Sequence, residues 1–212
     1  MVEVLKNIHL VDDSFANVYL ILHEGRAIAI DAGEPGNEHK VLRYMSNLGL
    51  NRESLDLIIV THAHYDHIGA LANLKRLTGA KVAAHKDEVP YIRGEKSLHG
   101  YTPEPVEIDI VLSGGETLND LLIIHTPGHT PGSICMLHRG TGALFIGDLV
   151  HEENGVLYEI PTHYSLDPEL NRKSIASLIN ISDIKHILPS HGRPIIGRGY
   201  EALKNLVSRL KT

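Results

Sequence analysis

The sequence has no tryptophan, one cysteine and only 5% aromatic residues. A single cysteine excludes an intrachain disulfide, and Cys135 lies in the apolar stretch 133–137, which predicts a buried thiol in a reducing compartment. The scarcity of aromatic side chains argues against a surface on which nucleic-acid bases stack. A chain of 212 residues with 42% hydrophobic composition can nevertheless bury a core that needs no disulfide.

The sequence also lacks an excess of positive charge, because 26 acidic residues outnumber 20 Lys and Arg and give a net charge of -6. Without a basic stripe, we predict a small-molecule substrate and no nucleic-acid partner. No apolar run reaches the roughly 18 residues of a membrane span, and residues 1–10 lack the pattern of a signal peptide. We therefore expect a cytoplasmic protein without a membrane partner. No heptad pattern predicts an oligomeric state.

Periodicity and turn residues predict a mixed order of strands and helices in one domain over residues 1–212. Helices are predicted over 37–48, 68–77, 86–92, 168–178 and 200–210. Strands are predicted over 17–23, 26–31, 55–60, 80–84, 106–112, 121–124, 133–137, 143–148 and 184–188. Residues 94–105, with two Gly and two Pro, are predicted to form a mobile loop.

The segment VTHAHYDHIGAL, residues 60–71, places three histidines and one aspartate in six positions. Side chains alternate along an extended strand, so His62 and His64 are expected to point to the same side. Asp66 and His67 follow in what should be the first helical turn, where the helix dipole favours a carboxylate. The spacing predicts four metal ligands at a strand-to-helix corner.

Three more ligand-type residues follow predicted strands and lie beside glycine. They are His129 in HTPGHTPGS, Asp148 in LFIGDLV and His191 in ILPSHGRP. Glycine is expected where a backbone turns sharply and approaches a ligand closely. We predict that these residues complete the metal site.

Together these motifs resemble the metallo-β-lactamase superfamily, from AIAIDAG at 27–33 to SHG at 190–192. The resemblance implies an α/β fold, a four-layer αββα sandwich, with a two-metal centre. It implies that Asp148 bridges both metals and that Asp31 orients a ligating imidazole. The first metal would be held by His62, His64 and His129, and the second by Asp66, His67 and His191.

The implied cofactors are two divalent metal ions, for which the imidazole and carboxylate ligands suit Zn²⁺ and are also compatible with Fe or Mn. The implied reaction is attack by a metal-bridging hydroxide on a small ester, thioester, lactone or phosphodiester. Asp66 is also predicted to accept a proton or orient the nucleophile. By position alone, the candidates for substrate binding are Tyr158, His163, Tyr164 and Arg193.

Single positions separate the branches of this superfamily. Flavodiiron proteins carry Glu where this chain has His64, and β-lactamases with a cysteine ligand carry Cys where it has Asp148. Glyoxalase II-like and lactonase-like hydrolases share all seven ligands, so the chain most resembles a single-domain member of these branches.

Two alternatives to a hydrolase stay open. A persulfide dioxygenase would hold one iron with His62, His129 and Asp148. A non-catalytic metal-binding protein is disfavoured because structural zinc sites are normally closed cages rich in cysteine. The histidines outside the motifs include six that are predicted at the surface or at strand edges: His9, His23, His39, His99, His138 and His186.

Overall fold

In the computed structural model, residues 2–11 and 14–210 are described, and the chain divides into two compact units, Met1–Leu112 and Ser113–Thr212. Each unit has its own sheet and is described by itself. The prediction of a single domain over 1–212 stays a prediction. Within the described ranges, every helix is too short or too polar to span a lipid bilayer.

The first unit is built on a seven-stranded sheet whose strands follow the order of the chain. Neighbours are antiparallel from β1 to β4 and parallel from β4 to β7. Its strands are β1 Val2–Leu5, β2 Ile8–Val11, β3 Val18–His23, β4 Arg26–Ile30, β5 Leu55–Ile59, β6 Lys81–His85 and β7 Ile110–Leu112. Its helices are α1 Asn37–Asn47, α2 Tyr65–Ile68, α3 Leu71–Thr78 and α4 Val89–Ile92.

The second unit has a five-stranded sheet in the order β14-β11-β10-β9-β8 and a separate hairpin of β12 and β13. Its strands are β8 Thr117–Leu118, β9 Leu121–His125, β10 Ile134–His138, β11 Ala143–Gly147, β12 Val150–Glu153, β13 Val156–Glu159 and β14 His186–Pro189. Its helices are α5 Pro168–Ser177 and α6 Gly199–Val207. Single 3₁₀ turns cover Arg52–Ser54 in the first unit and Thr162–Tyr164 and Leu178–Asn180 in the second.

Strand direction decides where the chemistry-bearing residues emerge in each unit. In the first unit β4, β5 and β6 run parallel, so Asp31, the segment 60–67 and Glu88 follow strand ends at one edge of the sheet. In the second unit β10 is antiparallel to both β9 and β11, and β11 is parallel to β14. The ends of β9, β11 and β14 therefore also share one edge.

The predicted hairpin and the helix after it are confirmed: β3 and β4 pair across Glu24-Gly25, and α1 ends before Gly49. Both turn residues have positive φ, 47° at Glu24 and 76° at Gly25, as a two-residue hairpin turn requires. The predicted strands at 55–60, 80–84, 121–124, 133–137, 143–148 and 184–188 and the helices at 168–178 and 200–210 are present with ends shifted by at most three residues.

The helix predicted over 68–77 is confirmed as α3 Leu71–Thr78, but it starts three residues later than predicted, because Gly69 and Ala70 separate it from the short helix α2. The backbone N–H of Ala70 donates to the Gly33 carbonyl (3.0 Å), which lies outside the helix. The His67 carbonyl accepts from the N–H groups of Ala32 and Gly33. The N–H of Ala70 and the carbonyl of His67 thus bond to the turn after β4, and they are not available for the hydrogen bonds that would join the two helices into one.

Other segments are shorter than predicted or were missed. The predicted strand 106–112 pairs only over Ile110–Leu112, because the Val106 N–H donates to the Ile92 carbonyl (3.2 Å). The predicted helix 86–92 is a single turn. Strands β1, β2, β12 and β13 were not predicted from periodicity. Residues 94–105 are irregular as expected, and their predicted mobility stays a prediction.

Candidate metal centre

The four predicted ligands of the first unit lie close together, and the ring centroids of His62 and His67 are 3.9 Å apart. His64 precedes α2, and its carbonyl accepts from the N–H groups of His67 and Ile68 at 3.0 Å each. His62 Nε2 lies 3.0 Å from His64 Nδ1, which agrees with the expected common side. His67 Nε2 lies 3.8 Å from a carboxylate oxygen of Asp66. His62 and His67 are buried, whereas His64 and Asp66 are partly exposed.

Asp31 orients this segment, as the sequence predicted. Its carboxylate accepts from the backbone N–H of Thr61 (2.7 Å), from the Thr61 hydroxyl (2.7 Å) and from His67 Nδ1 (2.8 Å). An ionised carboxylate only accepts, so Nδ1 of His67 carries the proton and Nε2 carries the lone pair that a metal ion needs. Asp31 is buried and holds a positive φ of 62°, a conformation that Asp tolerates better than most residues.

Glu88 is a supporting residue that sequence reasoning missed. It is fully buried, and its carboxylate accepts from the backbone N–H of Ala63 at 2.7 Å. Ala63 lies between His62 and His64, so this hydrogen bond fixes the backbone that carries both imidazoles. The available signal was its position just after β6, at the same sheet edge as β4 and β5.

In the second unit, Asp148 lies between two imidazoles. One of its carboxylate oxygens, Oδ2, is 3.6 Å from His129 Nε2 and 3.3 Å from His191 Nε2. The opposite nitrogen of His129, Nδ1, is 3.3 Å from the Ser165 hydroxyl, and the Leu166 N–H donates to the His129 carbonyl. Ser165 thus orients the ring of His129, and sequence reasoning did not identify it.

The loop that carries His191 is fixed by β12. The Glu152 N–H donates to the His191 carbonyl (2.9 Å), and the Glu152 carboxylate accepts from the Arg193 N–H (2.5 Å). Gly192 has a φ of 98°, and a Cβ there would lie 2.2 Å from the Glu152 carbonyl oxygen. Only glycine allows this close approach, which explains the glycine beside the predicted ligand.

The residue types at these positions fit a metal cofactor. The part of the chain that the structure describes contains groups of His and Asp side chains whose ligand atoms lie within 4.8 Å of one another. Imidazole nitrogen and carboxylate oxygen suit Zn²⁺ and also Fe or Mn. The hydrogen bonds from His67 to Asp31 and between His129 and Ser165 are the kind that orient ligating imidazoles.

Residues 11–191 match the family described as the metallo-beta-lactamase superfamily. This chain belongs to that superfamily. Among its relatives is the uncharacterized protein YobT of Bacillus subtilis, 35% identical over 66% of this chain and 64% of the length of YobT. The probable metallo-hydrolase YflN of the same organism is 26% identical over 99% of this chain and 93% of its own length.

The fold is that of solved structures in the superfamily. A metallo-beta-lactamase family protein of Thermus thermophilus superposes with a TM-score of 0.79, covering 97% of this chain and 80% of that protein at 19% identity. The predicted α/β metallo-β-lactamase fold is therefore confirmed. The prediction of a metal-dependent hydrolase is confirmed at the level of the superfamily, whose members include probable metallo-hydrolases.

The substrate-binding candidates all lie in the second unit. The ring of Tyr158 stacks on that of His151, with centroids 5.5 Å apart. The Arg209 guanidinium lies 5.2 Å from the centroid of the Tyr158 ring. His163 and Tyr164 pack on each other in the 3₁₀ turn that precedes Ser165. Arg193 is exposed, two residues after His191. Their roles in substrate binding stay predictions.

Cys135, the only cysteine, is fully buried in β10, as predicted. Burial raises the pKa of its thiol to about 12, so the thiol stays protonated and unreactive at pH 8. We expect the native protein to react very slowly with 5,5′-dithiobis(2-nitrobenzoate) at pH 8 and to release one equivalent of thionitrobenzoate in denaturant. The variant Cys135→Ser is the blank, and rapid labelling of the native protein would contradict the buried position.

Proposed function

We propose that this chain is a hydrolase that uses two divalent metal ions to cleave a small ester, thioester, lactone or phosphodiester. The ligand set is best suited to Zn²⁺. The proposed ligands are His62, His64, Asp66, His67, His129, Asp148 and His191. The proposal assigns His62, His64 and His129 to one ion and Asp66, His67 and His191 to the other. Asp148 is the proposed bridge.

The observation that carries this proposal is the position of the Asp148 carboxylate. One oxygen lies within 3.6 Å of the Nε2 atoms of both His129 and His191. These two imidazoles are assigned to different metal ions, and a carboxylate between them is suited to bind both. In the first unit His62 contacts His64 and Asp66 contacts His67, and the rings of His62 and His67 also lie close together, with centroids 3.9 Å apart, so all four proposed ligands are clustered.

The side chains of this site have distinct chemical tasks. Bound metal ions supply a water of lowered pKa and a Lewis acid for the substrate oxygen. Asp31 keeps the proton of His67 on Nδ1. Glu88 and Ser165 hold the backbone and the ring of other ligands. We assign the partly exposed Asp66 carboxylate, 3.8 Å from His67 Nε2, the role of holding or accepting a proton.

Metal analysis tests the two-ion proposal. We expect close to two metal equivalents per chain by elemental analysis of protein purified without a chelator. Removal of the metal should abolish hydrolysis, and adding back Zn²⁺ should restore it, since the reaction needs the activated water. Activity is measured on 4-nitrophenyl acetate, a 4-nitrophenyl phosphodiester, an acyl thioester and a γ-lactone, each against apoprotein as the control.

A different result would favour another reaction. One equivalent of iron, with oxygen uptake on glutathione persulfide and no hydrolysis of the four probes, would replace the proposal by a persulfide dioxygenase. If the protein holds two metal equivalents but turns over neither the four probes nor any compound in a broad substrate screen, the result would favour a non-catalytic metal-binding protein.

A further inference from the structure

The irregular segment 94–105 contains a tight turn over Leu98–Tyr101. Leu98 and Tyr101 exchange two backbone hydrogen bonds, of 3.1 and 2.8 Å. The two residues between them both have positive φ, 45° at His99 and 80° at Gly100. This is the pattern of a two-residue type I′ turn, which glycine adopts freely and histidine adopts at some cost.

The turn is fixed at both ends to the first unit. Leu98 is only 3% exposed and packs in the main apolar cluster of that unit. The ring of Tyr101 meets the ring of Tyr65 edge-on, with centroids 5.0 Å apart. Tyr65 lies between His64 and Asp66, so the turn is attached directly to the ligand segment.

This attachment places His99 beside a proposed ligand. The ring centroids of His99 and His64 lie 5.1 Å apart with an angle of 47° between the rings. His99 itself is exposed, whereas the turn that carries it is anchored by a buried residue. The turn therefore holds the His99 imidazole next to His64. The sequence had predicted a surface or strand-edge position for His99 and no role for it.

We propose that His99 is a substrate-binding residue that hydrogen-bonds to an oxygen of the substrate as it binds next to His64. The inference rests on the proposed hydrolase function. A ring N–H of an imidazole can donate a hydrogen bond, and the oxygens of an ester, lactone or phosphodiester can accept one. Because His99 is exposed and its ring lies beside that of His64, it is accessible to a ligand arriving from solvent. Its contribution is expected in substrate affinity and not in metal retention.

Two substitutions at this position separate the side chain from the backbone. His99→Gly removes the imidazole, and glycine adopts the φ of 45° without strain. His99→Asn keeps a short polar group in a residue that tolerates the left-handed region. The control is His39→Ala, which changes an exposed histidine on α1 that is 78% accessible. All variants are compared with the wild type for KM, kcat, metal content and melting temperature.

For His99→Gly we expect KM to rise about fivefold to tenfold, because the substrate loses one hydrogen bond. The value of kcat should change by less than about threefold. Metal content and melting temperature should equal those of the wild type. His99→Asn should recover part of the affinity, and His39→Ala should behave like the wild type. The substrate is whichever of the four probes the wild type cleaves fastest.

Three results would overturn the inference. An unchanged KM in His99→Gly, with an active wild type, would show that His99 does not contact substrate and would leave the hydrolase proposal intact. A loss of bound metal would make His99 a support of the metal site instead. A wild type that cleaves no probe would remove the proposed function and, with it, the role of His99.

Discussion

Replacement of Asp148 by alanine should lower kcat/KM for hydrolysis by at least about a thousandfold, which corresponds to roughly 4 kcal/mol of lost transition-state stabilisation. The reason is its position, with one carboxylate oxygen 3.6 Å from His129 Nε2 and 3.3 Å from His191 Nε2. Alanine leaves the two imidazoles without the negative charge between them. Metal content should fall below one equivalent per chain, because the proposed bridge would serve as a ligand of both ions.

Two further variants make this prediction specific. Asp148→Asn keeps the shape of the side chain but removes its charge, so it should bind metal more weakly than the wild type and fold normally. Asp183→Ala changes an exposed aspartate of the same unit and should retain full activity and two metal equivalents. Elemental analysis and steady-state kinetics are compared across the three variants. Full hydrolysis by Asp148→Ala would contradict the bridging assignment.

Replacement of Asp31 by asparagine should weaken metal binding by about 10-fold to 100-fold. The substitution keeps the backbone in place, because asparagine also tolerates the φ of 62°. It removes the charge that accepts from Thr61 and from His67 Nδ1. The amide can present its N–H₂ group to His67, and the imidazole then loses the fixed tautomer that leaves Nε2 ready for a metal ion.

The same substitution should destabilise the fold by about 1–3 kcal/mol, because a buried charge-assisted network is lost. Asp56→Asn is the matched control in the same unit. Asp56 is an exposed residue of β5 paired with Arg26, and such a pair contributes about 0–1 kcal/mol. Competition with a chromophoric chelator measures metal affinity, and urea titration measures the free energy of unfolding. Equal metal affinity in Asp31→Asn and the wild type would show that Asp31 does not tune His67.

Much of the candidate site could be predicted because its ligands occur in local patterns. Four of the ligands lie within six residues, and the alternation of a strand followed by a helical turn already places them close together: His62, His64, Asp66 and His67. The apolar runs before Asp148 and His191 are true strands, and strand ends at a sheet edge are where such residues collect. The helix over 37–47 followed from spacing and a glycine at its end.

The supporting residues could not be predicted because their partners are distant in the chain. Glu88 binds the backbone 25 residues earlier, and Ser165 contacts a ring 36 residues earlier. Neither residue belongs to a spacing pattern. His99 lies in a segment with no regular period, so only the fixed turn over 98–101 shows that its ring lies against His64. The break between α2 and α3 depends on hydrogen bonds to the turn after β4.

The sequence by itself determined the chemical class of the centre, because imidazole and carboxylate spacing within one short segment is set by strand and helix geometry alone. It also determined the superfamily, through five motifs spread from residue 27 to residue 192. Only the tertiary structure decided how the ligands are held. Asp31 accepts a hydrogen bond from His67, Glu88 accepts one from the backbone N–H of Ala63, and the Asp148 carboxylate lies between two imidazoles. These contacts join residues from separate strands, and strand order and direction bring them to one sheet edge in each unit.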